Sequence, residues 1–182
     1  CIDGVEVDEQ LAKAYEDFIK ENPFDNGGGA WAAEPWFQKE MPLEDALAKE
    51  VAERCDKAII VIGRTAGEDK DIVDAPGSYQ LTDIEKQMIE TVCAHFTKVI
   101  VALNVSNIID MSFMLHPKCK DAIKSVIYVW HGGMEGGNAA ADVLTGRVTP
   151  SGKLSDTFAK RLEDYPSSYN FHESKDYVDI IE

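Results

Sequence analysis

The chain has 182 residues, 45% of them hydrophobic and 28% charged, which suits a single globular domain with a hydrophobic core. Its net charge of −15 disfavours nucleic acid and anionic membrane surfaces as partners, because phosphate binding requires clustered Lys and Arg, whereas a neutral ligand such as a sugar is compatible. The sequence contains no run of about 18 apolar residues, so no transmembrane helix is expected.

The first predicted element is a helix over residues 8–20, where apolar side chains recur at helical spacing and Asp8 can serve as the N-cap. Residues 21–42 interrupt this pattern with three consecutive glycines and two tryptophans, Trp31 and Trp36. Glycine-rich chain with interleaved aromatic residues is typical of a loop. We therefore predict a long loop or insertion at 21–42, packed on the domain surface or on a neighbouring domain.

From residue 43 onward, helices alternate with short, β-branched apolar runs. The pattern predicts helices over 43–55, 82–95 and 138–145 and buried strands over 58–62, 99–103 and 125–130. Thr82 and Glu85 have the spacing of a capping box at the start of the second of these helices. The alternation predicts an α/β fold, a mostly parallel sheet with helices on both faces in flavodoxin-like layers.

In a parallel sheet, ligands bind at the carboxyl ends of the strands, which directs attention to the loops 63–81, 104–116 and 131–137. The first loop carries acids, bases and a hydroxyl around Glu68, although a charged loop is more often simply solvated. The last, a glycine-rich turn after Trp130, lacks the spacing of a phosphate-binding loop. We interpret it as a tight packing turn between a strand and a helix.

The cysteines and histidines give no sign of a metal site. No C-x-x-C pair is present, and the histidines are scattered along the chain. Cys55 and Cys93 fall within predicted helices, where a free thiol packs as a small hydrophobe. We predict that all cysteines are reduced, which favours a cytoplasmic enzyme without fixing the compartment, and we predict neither a metal nor a cofactor.

Four ordered blocks of the sequence resemble the C-terminal α/β domain of glycoside hydrolase family 3, the β-glucosidase and β-xylosidase family, and the resemblance spans roughly residues 1–170. The blocks are AIIVIGRTAGEDKD (58–71), LTDIEKQMIETVC (81–93), VIVALNVSNIIDM (99–111) and VIYVWHGGMEGGNAAADVLTGRVTPSGKLSDTF (126–158). The last block is the most specific, since the family shows a Trp, a G-Q-E-G-G-like turn, A-D-V-L-x-G and N-P-S-G-K-L in this order.

The resemblance implies a site residue on the first loop. In many members this loop reads S-G-E-G-x-D-R, and its Glu is the general acid/base, which identifies Glu68 as the catalytic residue here. Asp71 matches the Asp of the motif, while Asp69 and Ile72 depart from it. Arg64 and Asp71 are candidate substrate-binding residues, and either can instead hold the loop by ion pairing.

The resemblance also implies a partner and a reaction. A TIM-like barrel of the same full-length protein would supply the nucleophilic Asp, so the chain is predicted to be the acid/base-bearing domain of a retaining, exo-acting β-glycosidase that removes terminal β-linked sugars from oligosaccharides or glycosides. It is predicted to be inactive alone, as an excised piece of a glycoside hydrolase. The sugar, the linkage and the side on which the barrel lies stay open.

The resemblance divides the chain into a sandwich domain over 1–160, truncated at its N-terminal side, and a tail over 161–182 leading to a following module. Two alternatives stay open. The domain can be a non-catalytic sugar-binding or structural module of such an enzyme, with the acid/base elsewhere. It can also be a free-standing flavodoxin-like binding domain, against which the absence of an initial Met and the long P-S-G-K-L block argue.

Overall fold

The structure is a computed structural model that describes residues 4–65 and 70–169. Its helices are α1 (Glu9–Glu21), α2 (Asp45–Arg54), α3 (Asp83–His95) and α4 (Gly136–Leu144), and its strands are β1 (Ala58–Gly63), β2 (Val99–Asn104) and β3 (Ile123–Tyr128). Short 3-10 helices cover Gly27–Gly29, Ser112–Leu115, Leu162–Asp164 and Pro166–Tyr169. None of the helices in these two ranges has the length and apolar character needed to cross a membrane.

The three strands form one parallel sheet in the order β1-β2-β3, which confirms the predicted α/β class. Ile60 of β1 pairs with Val101 of β2, and Val101 pairs with Val126 of β3. The register shifts by one residue near the start of β3, where Val99 pairs with Ile123 but Ile100 pairs with Ser125. Lys124 is thus the extra residue of a β-bulge, and this bulge determines on which face of the sheet each later side chain of β3 lies.

The core lies on the face of the sheet that α2 and α3 cover. Alternate residues of β1 and β2 point into it, and Ile62, Val101 and Leu103 are almost completely buried. Burying an aliphatic side chain of this size contributes about 1.5–3 kcal/mol relative to leaving it in water. On the opposite face of β1, Ile59 and Val61 are 50% and 55% exposed.

The helix termini follow the chemistry expected from the sequence. Asp8 caps α1, with its carboxylate accepting a hydrogen bond from the Leu11 amide at 2.9 Å. At α3 the Thr82 hydroxyl accepts from the Glu85 amide, and the Glu85 carboxylate accepts from the Thr82 amide, so the predicted capping box is present. These bonds satisfy amide groups that the first turn of a helix leaves without partners.

The third strand departs from its predicted span of 125–130. It begins two residues earlier, at Ile123, and ends at Tyr128. The early end has a local cause, because Trp130 adopts a left-handed backbone conformation with φ of 60°, which no strand can continue through.

Candidate active site

The loops that follow the strands meet at the carboxyl edge of the sheet. A small cleft there is lined by residues of the loops after β1 and β2, together with one tryptophan of the 21–42 loop: Trp36, Arg64, Ile72, Ser78, Val105, Asn107, Ile108 and Ile109. The 21–42 segment, predicted as a long loop, therefore contributes to the same edge as the loop that carries Glu68. This edge is where a ligand is expected in a parallel sheet.

Arg64, the first residue after β1, is buried and fully engaged inside the fold. Its guanidinium forms a bidentate pair with Glu85, at 2.6 Å and 3.0 Å between the nitrogen and oxygen atoms. The remaining donors reach backbone carbonyl oxygens of Gly63, Ser78 and Gln80. Every N–H of the guanidinium therefore has an acceptor within the protein.

This arrangement bears on the two roles that the sequence leaves open for Arg64. A side chain that is only 5% exposed and has no spare donor is poorly placed to bind a sugar hydroxyl. The geometry favours the second role, in which Arg64 holds the base of the loop by ion pairing. Glu85 joins this base to α3, since the same carboxylate also belongs to the capping box.

Three further contacts fix the chain just before the 66–69 segment. The Thr65 amide donates to the Trp36 carbonyl at 2.8 Å, and the Thr65 hydroxyl donates to the Pro35 carbonyl at 2.5 Å. The Arg64 carbonyl accepts a hydrogen bond from Nε2 of His131 at 2.9 Å. The chain before Glu68 is thereby attached to the 21–42 loop and to the turn after β3.

The chain after the 66–69 segment is also held by internal hydrogen bonds. The Ser78 hydroxyl accepts from the Val73 amide, and the Tyr79 carbonyl accepts from the Asp110 amide, which connects this loop to the loop after β2. Tyr79 is 3% exposed, and its hydroxyl has no hydrogen-bond partner among the described residues. Burial raises the pKa of Tyr79 to about 12, so its phenol is neutral at physiological pH.

At Gly77, both the backbone conformation and the contact with Phe37 require glycine. Its φ is +83°, and an added Cβ would lie 2.1 Å from ring carbons of Phe37 in the 21–42 loop. We expect Gly77→Ala to lower the free energy of unfolding by about 2–4 kcal/mol, combining a left-handed backbone with an overpacked contact. Gly133→Ala is the matched control, since its Cβ would meet nothing within 4 Å. Urea denaturation measures both, and equal losses in the two variants would contradict the expectation.

The glycine-rich turn after β3 is a packing turn, as its sequence suggests. An added Cβ on Gly132 would lie 2.7 Å from the Cα of Gly136, the first residue of α4. Trp130 keeps its left-handed conformation at a cost of about 1–3 kcal/mol, and such residues persist only where their surroundings enforce them. The Trp130 ring contacts that of Tyr128, with centroids 4.4 Å apart.

Glu68 and Asp71 are the two other site residues that the sequence predicts. Glu68 lies outside the described residues, so its assignment as the acid/base stays a prediction. Asp71 is described and exposed, two residues beyond the 66–69 segment. Within residues 4–65 and 70–169, no group of three His, Cys, Asp or Glu side chains is arranged to hold a metal ion.

The fold is that of a parallel α/β domain whose strand-end loops line a cleft at the carboxyl edge of the sheet. Residues 6–179 match the model of the glycosyl hydrolase family 3 C-terminal domain. A β-glucosidase of Ruminococcus albus is 51% identical over 169 residues, covering 93% of this chain and 17% of that protein.

Two solved structures are also similar to this chain. The crystal structure of a β-glucosidase from Paenibacillus barengoltzii has a TM-score of 0.88 and 58% identity, covering 91% of this chain and 18% of that one. The structure of β-glucosidase 3B from Thermotoga neapolitana in complex with glucose has a TM-score of 0.78 and 35% identity, covering 94% of this chain and 24% of that one.

The chain belongs to glycoside hydrolase family 3, as its C-terminal domain, which confirms the resemblance seen in the sequence. It spans between about a sixth and a quarter of the length of these three relatives.

Proposed function

We propose that this chain is the acid/base-bearing domain of a retaining, exo-acting β-glycosidase of the β-glucosidase type, which removes terminal β-linked sugars from oligosaccharides or glycosides. The observation that carries the proposal is the family match over residues 6–179, together with 51% identity to a protein named as a β-glucosidase. The nucleophilic carboxylate would come from a TIM-like barrel of the same full-length protein.

In this proposal Glu68 works in both halves of the reaction. It first gives its proton to the leaving glycosidic oxygen while the barrel carboxylate attacks the anomeric carbon, and a covalent glycosyl-enzyme results. As a carboxylate, it then takes a proton from the water that hydrolyses this intermediate. A retaining pair of this kind needs its two carboxyl groups about 5–5.5 Å apart.

The described residues support this role by fixing both sides of the 66–69 segment. Arg64 and Thr65 tie the chain before it to α3 and to the 21–42 loop. After it, Ser78 bonds to Val73 within the same loop, and Tyr79 ties this chain to the loop after β2. A short loop that is held at both ends can present one carboxyl group in a repeatable position, which proton transfer requires.

The test uses the full-length protein and the present chain side by side. We expect the full-length protein to hydrolyse aryl β-glucosides and to release β-glucose as the first product, detected by proton NMR before mutarotation. The 182-residue chain alone should give no turnover, because the proposed nucleophile belongs to the barrel. Release of the α-anomer, or turnover by the chain alone, would contradict the proposal.

A further inference from the structure

The 21–42 loop carries a tryptophan that the fold leaves in solvent. Trp31 is 72% exposed, whereas Trp36 of the same loop lines the cleft at the carboxyl edge of the sheet. Tryptophan is highly buried on average, because its large apolar ring gains much from leaving water. Single exposed apolar residues are nevertheless common on protein surfaces, so the chain around Trp31 has to be considered as well.

The chain around Trp31 folds back on itself as a closed loop. The Gln38 side chain closes the base of this loop, because its amide accepts from the Asp25 N–H at 2.8 Å and donates to the Asp25 carbonyl at 3.1 Å. Within the loop, Gly27 lies directly against Ala33, since a Cβ on Gly27 would be 2.2 Å from the Ala33 carbonyl group. The loop thus fills its own interior with backbone and leaves no room there for the Trp31 ring.

Trp31 lies in the tight turn of this loop. The Ala33 amide donates to the Ala30 carbonyl at 3.3 Å, which puts Trp31 and Ala32 at the two central positions of the turn. Ala32 has a φ of 55°, a left-handed conformation that is unfavourable for a residue with a Cβ. Unfavourable backbone persists only where its surroundings enforce it, and it is frequent at ligand-binding sites. An unfavourable turn therefore carries the largest side chain of the loop in solvent.

Hydrogen bonds attach this loop to the end of β1. The Thr65 amide donates to the Trp36 carbonyl, and the Thr65 hydroxyl donates to the Pro35 carbonyl. Pro35 follows Trp31 by only four positions, so Trp31 belongs to chain that is bonded to the carboxyl edge of the sheet. Ligands bind at this edge in parallel α/β sheets.

The exposed indole and the charge of the chain favour a neutral sugar as the ligand. The axial C–H groups of a β-linked glucose ring form an apolar face, which can pack on the flat indole. The net charge of −15 disfavours an anionic ligand. In the proposed reaction the terminal sugar meets the nucleophile of the barrel, so the sugar on the other side of the scissile bond is available to this domain.

We propose that Trp31 binds the leaving-group sugar of a β-linked oligosaccharide by stacking its indole on the pyranose ring. This inference rests on the proposed function, which supplies the class of substrate. A stack that forms on binding persists in the transition state, so its loss should appear mainly as a higher KM. A substrate whose leaving group has no ring should be unaffected.

The test compares two kinds of substrate in the full-length enzyme. Sophorose, laminaribiose, cellobiose and gentiobiose have glucose as the leaving group, whereas methyl β-glucoside has methanol. For the disaccharide that the enzyme hydrolyses best, we expect Trp31→Ala to raise KM by about five- to ten-fold. The same variant should change kcat/KM for methyl β-glucoside by less than about two-fold. Trp31→Phe keeps an aromatic face and should recover most of the loss.

Phe24→Ala is the matched control. Phe24 is also an aromatic residue in solvent, at 65% exposed, but it lies just outside the loop that Asp25 and Gln38 close. This variant should leave KM for the disaccharide unchanged. Because Trp31 and Phe24 are both largely exposed, neither substitution should lower the midpoint of thermal unfolding, and this measurement checks that both variants are folded.

Two outcomes with Trp31→Ala would overturn the inference. Equal losses with the disaccharide and methyl β-glucoside would mean that Trp31 supports the fold or a contact with the barrel, and an unchanged KM for the disaccharide would mean that it does not bind the leaving sugar. The unsubstituted enzyme separates these results from failure of the proposed function. If it releases β-glucose from the disaccharides, only the inference about Trp31 fails. If it hydrolyses no β-glucoside, the proposed function fails and this inference falls with it.

Discussion

Glu68→Ala in the full-length protein is expected to lower kcat/KM for phenyl β-glucoside by about 10²–10⁴-fold, the range that general acid–base catalysis supplies. The phenolate of this substrate leaves slowly without a proton. Formation of the glycosyl-enzyme from 2,4-dinitrophenyl β-glucoside should be spared, because that leaving group is stable as an anion. The intermediate should then accumulate, since the water that hydrolyses it has lost its base.

Azide provides the second half of this experiment. It is a nucleophile that needs no general base, so it should restore turnover of 2,4-dinitrophenyl β-glucoside by Glu68→Ala and yield β-glucosyl azide. Glu135→Ala is the control, because Glu135 is an exposed acid at the same edge of the sheet and accepts a hydrogen bond from Asn138. If Glu68→Ala keeps its folded state but shows neither a selective loss nor azide rescue, then Glu68 is not the acid/base.

Glu85→Ala is expected to be the most damaging substitution for stability, lowering the free energy of unfolding by about 3–5 kcal/mol. The side chains of Arg64 and Glu85 are 5% and 6% exposed, so removal of the carboxylate leaves a buried guanidinium without its counter-charge. The same change removes the acceptor for the Thr82 amide at the start of α3. Urea denaturation, followed by circular dichroism, measures the loss.

Glu90→Ala is the matched control for this prediction. Glu90 lies on the same helix and pairs with Lys118 at 2.6 Å, but its side chain is 41% exposed. Exposed pairs of this kind contribute about 0–1 kcal/mol. A double change, Arg64→Met with Glu85→Leu, should cost less than Glu85→Ala alone, because no unpaired charge stays buried. A Glu85→Ala protein as stable as Glu90→Ala would refute the account.

The parts of the fold that depend on local sequence were predictable. The capping box at Thr82 and Glu85 and the apolar runs of β1 and β2 are encoded within a few residues, and the structure confirms them. The end of β3 was not predictable, because Trp130 has an ordinary strand-forming side chain. Its left-handed backbone and the contact of its ring with Tyr128 are features that no local pattern reports.

The candidate site, like the fold, has features that the sequence predicts and contacts that it does not. The position of the loop at a strand end, and the family motif around Glu68, were visible in the sequence. The contacts that hold the loop were not, because they join residues far apart: Arg64 with Glu85 over 21 positions, and Arg64 with His131 over 67. The sequence identifies Glu85 only as a helix-capping residue, because a capping pattern does not reveal which positively charged side chain pairs with its carboxylate. His131 carried no signal beyond its place in a glycine-rich turn.

The bulge at Lys124 has a consequence for how this family member can evolve. With the extra residue present, Val126 and Tyr128 face the core and pair with Val101 and Leu103. Deleting Lys124 would remove the bulge and leave Val126 and Tyr128 in the same register, whereas inserting one residue there would exchange the two faces of the rest of the strand, since side chains alternate along it. A single deletion at the start of β3 is thus easier to accept than a single insertion, and functional descendants that differ in length there should more often have lost a residue than gained one.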